Sequence, residues 1–228
     1  MANLERQVGA STDDVGRRLT TSYWSVTVGA NWAGGPGADK TMYKYGSGMR
    51  FTNITIPQGA TITAAYLTLR SSHSYSGTTV NTRISAEDVD DAATFADDAA
   101  AFDTRWADRT TARVDWDSIP AWTQDTDYDS PEIKTVIQEV INRANWSSGN
   151  DIVIFWEDFD DRSSHNFYAN RRGYSYNESA DYAPKLTVTY TVPSGPANLK
   201  SYNGLAIASM KSIMGLGIAD VKSVNGVS

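Results

Sequence analysis

The chain contains no cysteine, and its only histidines are His73 and His165. Disulfides and thiolate metal sites are therefore excluded, and imidazole chemistry is restricted to two side chains. Long apolar runs are also missing: the run at 152–156 is far too short to span a bilayer, and the first residues lack the apolar core of a signal peptide. We therefore expect no membrane span. Met1 favours assembly in a host cytoplasm, with secretion as the alternative.

Clusters of basic residues are scarce as well. The 228 residues include 20 Lys and Arg against 27 Asp and Glu, which gives a net charge of −7. Nucleic-acid-binding proteins usually carry a clustered basic surface, so we expect no nucleic-acid partner. A chain of this length is long enough for one β-sandwich domain with a sizeable core.

Short strand-like segments separated by turn residues make up most of the chain. They are rich in Thr, Tyr, Val and Ile and lie at 23–28, 49–56, 61–69, 79–86, 151–157, 166–170 and 185–190. The stretch at 29–39 is rich in Gly, Pro and Ala and has the composition of a loop. Many short strands at this spacing predict an all-β fold, namely a jelly-roll-like antiparallel β-sandwich.

One short amphipathic helix is expected at about residues 130–143. Ser130 is suited to the N-cap and Pro131 to the first turn. The apolar residues of this segment follow the helical period, at Ile133, Val136, Ile137, Val140 and Ile141. The Asp- and Ala-rich segment 88–105 is expected to be a loop with one short helical turn.

The C-terminal residues repeat every 11 positions. Lys-Ser pairs open the units at 200, 211 and 222, and a glycine follows four positions later in each unit. Each glycine weakens a helix by about 1 kcal/mol relative to alanine, so short strands and turns are favoured. A unit this short cannot bury an apolar face alone, so the repeat predicts an assembly tail. The candidate assembly residues are Leu205, Ile207, Met210, Leu216, Ile218, Val221 and Val227.

These features divide the chain into four parts. Residues 1–20 are expected to form an N-terminal arm, 21–191 the β-sandwich, 192–198 a linker and 199–228 the repeat tail. The linker is placed at the sequence Val-Pro-Ser-Gly-Pro because two prolines around a glycine cannot continue a sheet.

Three segments of the body, at 51–69, 130–150 and 183–190, begin Phe-Thr-Asn-Ile-Thr-Ile-Pro, Ser-Pro-Glu-Ile-Lys and Ala-Pro-Lys-Leu-Thr. Together they resemble the DNRLRE-type family of β-sandwich domains, which is similar to carbohydrate-binding jelly rolls. The tail has units of the type Lys-Ser-x-Asn-Gly-Leu-Ala-x-Ala. It resembles the C-terminal segments of tailed-phage structural proteins. These resemblances imply a jelly-roll body and a tail used in virion assembly.

Aromatic residues offer a second functional hypothesis. The chain has 7 Trp and 12 Tyr, and aromatic faces in a cleft can stack on sugar rings while polar groups bond the hydroxyls. The candidate sugar contacts are Trp32, Trp106, Trp156 and Tyr174. The alternative interpretation is that Trp116, Trp122 and Trp146 are packing residues beside the helix and its loops.

Acidic residues offer a third hypothesis, since those at 88–91 or 158–161 could supply oxygen ligands to a calcium ion. Neither run has the spacing of an EF-hand, so a solvated loop is preferred, and no other cofactor is expected. Carboxylate pairs such as Glu157 with Asp158 are common in any chain with 27 acidic residues, and no Gly-x-Ser-x-Gly motif is present. We therefore expect no catalytic residues and no enzymatic activity.

The sequence thus predicts a non-enzymatic structural or decoration protein of a virion or phage-like particle. Its partners would be copies of itself and another virion structural protein, at the particle surface. The alternative is a carbohydrate-binding module for extracellular or cell-surface polysaccharide. Assembly requires the tail, whereas sugar binding requires exposed aromatic residues on the body, so the two hypotheses can be tested separately.

Overall fold

The computed structural model describes residues 1–35, 43–77, 79–166 and 168–192, and in the tail the backbone of 201–202, 205–206, 212–213 and 216–217. The body consists of short strands. In chain order they are β1 (Ala2–Gln7), β2 (Asp14–Arg18), β3 (Trp24–Ser25), β4 (Ala30–Gly34), β5 (Tyr45–Phe51), β6 (Thr61–Arg70), β7 (Thr82–Ala86), β8 (Val114–Trp116), β9 (Asp127–Asp129), β10 (Ile152–Glu157), β11 (Asn170–Tyr174) and β12 (Lys185–Thr191).

These strands form two antiparallel sheets, which confirms the predicted all-β sandwich. The four-stranded sheet has the order β1-β12-β6-β9. The eight-stranded sheet has the order β11-β4-β5-β10-β7-β8, with β2 paired to β5 and β3 to β2. At one side the sheets approach each other, because Gly173 of β11 forms an isolated bridge with Ser71 at the end of β6. The candidate site lies on this side.

Alternation along β12 shows how the smaller sheet contributes to the core. Leu186, Val188 and Tyr190 are buried, whereas the Lys and Thr residues between them are partly exposed. The apolar face meets side chains of the larger sheet in one cluster of buried residues. Period-two burial of this kind is the pattern on which the sequence-based prediction of a sandwich depended.

Strand β10 differs because it is buried on both faces. All six of its residues are buried. Ile154 and Trp156 belong to the core between the sheets, whereas Val153 and Phe155 belong to a second cluster on the other face. Burial on both faces explains why this strand reads as a continuous apolar run rather than an alternating one.

A second helix, α1 (Ala99–Ala107), covers that outer face, and the prediction of a loop with one helical turn was wrong here. The side chain of Asp98 caps the helix by accepting a hydrogen bond from Ala100 N at 2.8 Å. Phe102 is buried, and its ring centroid lies 5.5 Å from that of Phe155. A single buried phenylalanine among alanines and polar residues gives too weak a periodicity to reveal a helix.

The predicted amphipathic helix is present as α2 (Lys134–Ile141), and its apolar residues at 136, 137, 140 and 141 are buried. Its start differs from the prediction, because Ile133 occupies the N-cap. Ser130 is not the cap: its Oγ accepts a hydrogen bond from Leu67 N at 3.0 Å and so ties the segment before the helix to β6. Neither helix of the described ranges is long and apolar enough to cross a membrane.

Residues 1–20 belong to the sandwich, so the predicted N-terminal arm was wrong. Strand β1 pairs with β12 along its whole length, and β2 pairs with β5. Leu4, Val8 and Val15 are buried. Strand β1 lies at the edge of its sheet and has exposed residues on either side of Leu4, whereas β2 buries the polar residues Asp14 and Arg17 beside Val15. The polar composition of both strands therefore concealed them.

The stretch predicted to be a loop at 29–39 contains strand β4, which was also missed. Gly34, at the end of β4, has φ +125°. A Cβ added to Gly34 would lie only 2.4 Å from the carbonyl oxygen of Ala169, the residue before β11. Glycine therefore serves close backbone approach here rather than a flexible loop. Strands β8 and β9 were missed as well, since three residues are too few to show a period.

The described parts of the tail are two short hairpins. Strand β13 (Ser201–Tyr202) pairs with β14 (Leu205–Ala206), and β15 (Ser212–Ile213) pairs with β16 (Leu216–Gly217). Equivalent strands start 11 residues apart, as the sequence repeat does. Of the candidate assembly residues, two lie in β14 and β16. The others lie outside the described residues, namely Ile207, Met210, Ile218, Val221 and Val227.

Candidate functional site: an arginine and aromatic cluster

Arginine and aromatic side chains converge where β2, β4, β5 and β11 meet. The antiparallel register places Arg18 of β2 opposite Tyr45 of β5. It places Arg172 of β11 opposite Trp32 of β4. Gly34 of β4 is paired with Tyr45 as well, which connects the two strand pairs. Directly opposed residues are neighbours in a sheet, so side chains from distant parts of the sequence come together.

Trp32 lies at the centre of this group. Its ring stacks on Tyr45 with 4.3 Å between centroids, and Tyr23 meets it edge-on at 5.9 Å. The guanidinium carbons of Arg18 and Arg172 lie 5.0 Å and 4.6 Å from the centroid of Trp32. At these distances the cation is attracted by the electron-rich face of the ring.

Further aromatic side chains extend the group on both sides. Arg18 lies 4.3 Å from the ring centroid of Tyr23 and 5.1 Å from that of Tyr43. Arg172 lies 5.2 Å from the centroid of Tyr75, which stacks on His73 at 5.6 Å. We call this set the Arg–aromatic cluster, and it consists of Arg18, Tyr23, Trp32, Tyr43, Tyr45, His73, Tyr75 and Arg172.

A cleft of about 270 Å³ opens beside the cluster. Burial, helped by the nearby Arg172, lowers the pKa of His73. The imidazole is therefore neutral at pH 7 and can both donate and accept a hydrogen bond. The cleft combines aromatic faces, a cation and a neutral imidazole. Its lining residues are Tyr23, Val28, Gly29, Ala30, Trp32, His73 and Arg172.

The two arginines of the cluster differ from most others in the protein. Among the described residues, Arg18 and Arg172 form no ion pair with a carboxylate. Arg172 acts on Glu178 only at longer range: burial raises the pKa of Glu178, and Arg172 lowers it in part. Arginines that do form such ion pairs are Arg17, Arg50, Arg70, Arg83, Arg105, Arg143 and Arg162.

Three buried donor atoms of the cluster lack a partner within the described residues. They are Arg18 Nε, Trp32 Nε1 and Arg172 Nε. A buried donor without a partner costs free energy, and such groups are usually satisfied by water or a ligand. The cluster therefore keeps hydrogen-bonding capacity that the protein's own described groups do not use.

Arg171, next to Arg172 in β11, has the opposite environment. It is 1% exposed, and burial lowers its pKa to about 10. Its guanidinium donates to the carbonyl oxygens of Ile119 and Pro120 at 2.7 Å and of Gly77 at 3.0 Å. Consecutive side chains of a strand point to opposite faces, so one arginine anchors loops beneath the cluster and the other lines the cleft.

The predicted sugar contacts have different outcomes. Trp32 belongs to the cluster, although it is only 8% exposed and one of its faces is covered by Tyr45. Trp156 is fully buried in the core, so its prediction as a sugar contact was wrong. Trp106 lies elsewhere, against Phe159. Tyr174 is partly exposed in β11, two residues after Arg172.

Sequence reasoning missed the arginines and most of the tyrosines of the cluster. Arg18 was placed in a separate arm, and Arg172 lay beyond the strand predicted at 166–170. Only strand register brings Arg18 and Tyr45 together, and register between distant segments has no local signal in the sequence. A useful hint was available in Tyr43 and Tyr45, which are two residues apart where β5 begins and whose rings stack at 5.7 Å.

The acidic runs are occupied by partners within the protein. Asp88 and Asp90 both form ion pairs with Arg143. Asp158 accepts hydrogen bonds from the backbone nitrogens of residues 162 and 163. Within the described ranges no group of three acidic or histidine side chains could hold a metal ion. Glu157 and Asp158 are each 1% exposed, which removes this carboxylate pair from the surface.

The chain matches no protein-family model, and no curated protein matches it significantly. Functional conclusions therefore depend on the geometry of the cluster and on the regular hairpins of the tail.

Proposed function

We propose that this protein is a non-enzymatic structural or decoration protein of a virion or phage-like particle, and that its tail joins it to copies of itself or to another structural protein. The observation that carries the proposal is the pair of hairpins whose equivalent strands lie 11 residues apart. A repeat that is regular in both sequence and backbone is typical of units that stack on one another.

Isolated hairpins need a partner to be stable. A two-stranded hairpin alone in water is at best marginally stable, and each of its edges can pair with another strand. In the described residues, each tail hairpin is paired only within itself. Stacking on copies from neighbouring chains would bury the apolar residues that recur in the repeat, including Leu205 and Leu216.

The N-terminus supports the choice of the tail as the anchoring segment. Because β1 and β2 are part of the sandwich, the first 20 residues do not form an arm that extends to a partner. The proposed location is the surface of the particle, with assembly in the host cytoplasm. The resemblance of the tail to those of tailed-phage structural proteins agrees with this location.

The test compares the full chain with a truncation that ends at Thr191, the last residue of β12. Light scattering after size-exclusion chromatography and negative-stain electron microscopy should show defined oligomers or filaments only for the full chain. The double substitution Leu205→Asp with Leu216→Asp should abolish them, whereas Ser201→Ala should not. A monomeric full chain, also after mixing with the remaining particle proteins, would refute the assembly proposal.

A second candidate function is binding of extracellular or cell-surface polysaccharide by the Arg–aromatic cluster. The observation that favours it is the cleft, which is lined by aromatic faces, by His73 and by Arg172, an arginine that forms no ion pair with a carboxylate among the described residues. Sugar rings stack on aromatic faces, and guanidinium groups bond hydroxyl or carboxylate oxygens. This function does not require the tail, so it is compatible with the first.

A glycan array that includes neutral and carboxylated polysaccharides tests this second function on the truncated protein. Substitution Arg172→Gln should weaken the signal by about tenfold, as expected when a charged hydrogen bond is lost. The control is Lys134→Gln, which removes the same charge from α2, outside the cluster. Equal binding by both variants, or no binding to any glycan, would reject the cluster as a sugar site.

A further inference from the structure

A second cleft, of about 180 Å³, lies between β6, β9 and the segment that leads into β12. Tyr182, which is 41% exposed, forms one wall. The guanidinium carbon of Arg70 lies 4.4 Å from the centroid of that ring, and Arg70 also forms an ion pair with Asp127 at 3.3 Å. Lys185 completes the polar lining on the β12 side. This cleft thus offers an aromatic face next to donors and acceptors of both charges.

Tyr174 connects the second cleft to the Arg–aromatic cluster. Its ring centroid lies 5.2 Å from that of Tyr182. Across the sheet it is paired with Ala30, which lines the first cleft. Side chains two residues apart in a strand share a face, so Tyr174 and Arg172 lie on the same face of β11. Tyr174 thus contacts a lining residue of the second cleft and is paired with a lining residue of the first.

The polar contacts of Tyr174 keep this connection in place. Its hydroxyl donates to Asp125 Oδ1 at 2.8 Å, and this hydrogen bond raises the pKa of Tyr174, with burial adding to the effect. A tyrosine held at its hydroxyl end presents a fixed ring edge between the two clefts. Tyr174 thereby stays in contact with Tyr182 of the second cleft.

We propose that the two clefts form one groove that binds a linear polysaccharide, with the Arg–aromatic cluster as one subsite and Tyr182 with Arg70 as another. The inference rests on the proposed polysaccharide binding and adds a chain-length requirement to it. Successive sugar units of an extended chain present ring faces and hydroxyls at regular intervals. A groove with two aromatic subsites separated by Tyr174 matches such a ligand better than it matches a single sugar.

The alternative is that Tyr182 and Arg70 merely pack on each other at the surface. Tyr66 provides the matched comparison, because it is a tyrosine of β6 that is 36% exposed and lines neither cleft. If exposed tyrosines only adsorb the polysaccharide nonspecifically, Tyr66→Ala and Tyr182→Ala will weaken its binding equally.

The test uses the polysaccharide that binds most strongly on the array, together with its disaccharide and hexasaccharide, and measures affinity by calorimetry on the full chain. The hexasaccharide should bind more tightly than the disaccharide. Tyr182→Ala should weaken hexasaccharide binding about threefold to tenfold, the range expected for one stacking contact. It should leave disaccharide binding and the melting temperature unchanged, as Tyr66→Ala should for both ligands.

Three outcomes separate the inference from the function on which it depends. Absence of any binding on the array refutes both polysaccharide binding and the groove. Binding that Arg172→Gln weakens but Tyr182→Ala does not would keep the first subsite and overturn the groove. Equal affinity for disaccharide and hexasaccharide would overturn the groove as well.

Discussion

Two stacks of aromatic side chains in this protein are similar in composition and different in surroundings. Between the sheets, Trp156 stacks on Trp122 at 5.9 Å, and its Nε1 donates to Thr82 Oγ1 at 2.8 Å. At the cleft, Trp32 stacks on Tyr45, but two guanidinium groups approach its ring and its Nε1 has no partner in the described residues. Trp122 Nε1 of the core stack also has no partner in the described residues, so the two stacks differ in the guanidinium groups and the cleft beside Trp32 rather than in unused donors.

The largest expected effect concerns the core stack. Substitution Trp156→Ala should lower the free energy of unfolding by about 3–5 kcal/mol, because it removes a large buried ring and leaves a cavity. Urea denaturation followed by circular dichroism measures this loss. Tyr66→Ala serves as a control for loss of an exposed ring. A loss below about 1 kcal/mol for Trp156→Ala, the range of well-tolerated core exchanges, would contradict the role given to the core stack.

The next largest effect on stability should come from replacing a buried acidic residue near each stack. Burial raises the pKa of Glu157, the residue after Trp156, from 4.5 to about 7. The folded state therefore holds this proton more tightly than the unfolded state, and its contribution to stability is complete below pH 4.5 and is lost as the pH rises to about 7. Glu157→Gln should make the protein more stable than wild type at pH 8 by up to about 3 kcal/mol.

The matched variant for the cleft stack is Asp14→Asn. Asn31 precedes Trp32, and its Nδ2 donates to Asp14 Oδ2 at 2.9 Å. Burial raises the pKa of Asp14 from 3.8 to about 6. The stabilising effect of Asp14→Asn should therefore develop between these two pH values, at lower pH than that of Glu157→Gln. Denaturation series from pH 4 to 8 measure both, and identical pH profiles for the two variants would contradict the assignment.

A smaller effect is expected when the cleft stack is disturbed from behind. A Cβ at Gly16 would lie 2.7 Å from Val28 Cγ2 and 3.2 Å from Trp32 Nε1. Gly16→Ala should therefore lower the free energy of unfolding by about 1–3 kcal/mol, as overpacking usually does. It should also weaken the binding of a ligand in the cleft. Gly29→Ala is the control, because nothing lies within 4 Å of its added Cβ. Thermal denaturation of the two variants should differ; equal midpoints would count against the packing described for Trp32.

The smallest effect on stability should come from the cleft arginine. Arg172→Gln removes contacts with two aromatic rings, each worth about 0.5–1 kcal/mol at a partly exposed site. The same change removes the buried Nε, which has no described partner, and so removes an unfavourable contribution. The net loss in the free energy of unfolding, measured by urea titration, should therefore be about 1 kcal/mol or less. A loss as large as that of Trp156→Ala would mean that Arg172 supports the fold and does not serve the cleft.

The sequence predicted the elements that carry a strong period of their own. Alternation in β6 and β12 and the helical period of α2 gave the sandwich and its helix. Strands β1, β2 and β4 escaped because polar edge positions and glycines hide their period, and α1 escaped because Phe102 alone anchors it. The resemblance to DNRLRE-type domains stays a prediction.

The site was less accessible to prediction than the fold. Composition drew attention to Trp32, but it gave equal weight to Trp156, which is inside the core. Arg18 and Arg172 could be recognised only after the pairing of β2 with β5 and of β4 with β11 was known. Local patterns indicate which residues form strands, whereas a surface site depends on which strands become neighbours.

The hydrogen bonds of the Arg171 guanidinium allow the ligand preference of the cleft to change by substitution without loss of the fold. One buried side chain fixes the carbonyl groups of two separate loops, at Gly77 and at residues 119–120. Because these bonds involve only main-chain oxygens, they place no demand on the side chains of those loops. Neighbouring surface positions such as His73 and Tyr75 can therefore be exchanged while the loops stay in place. The scaffold separates the support of the cleft from its chemistry, which makes it suited to engineering new specificities.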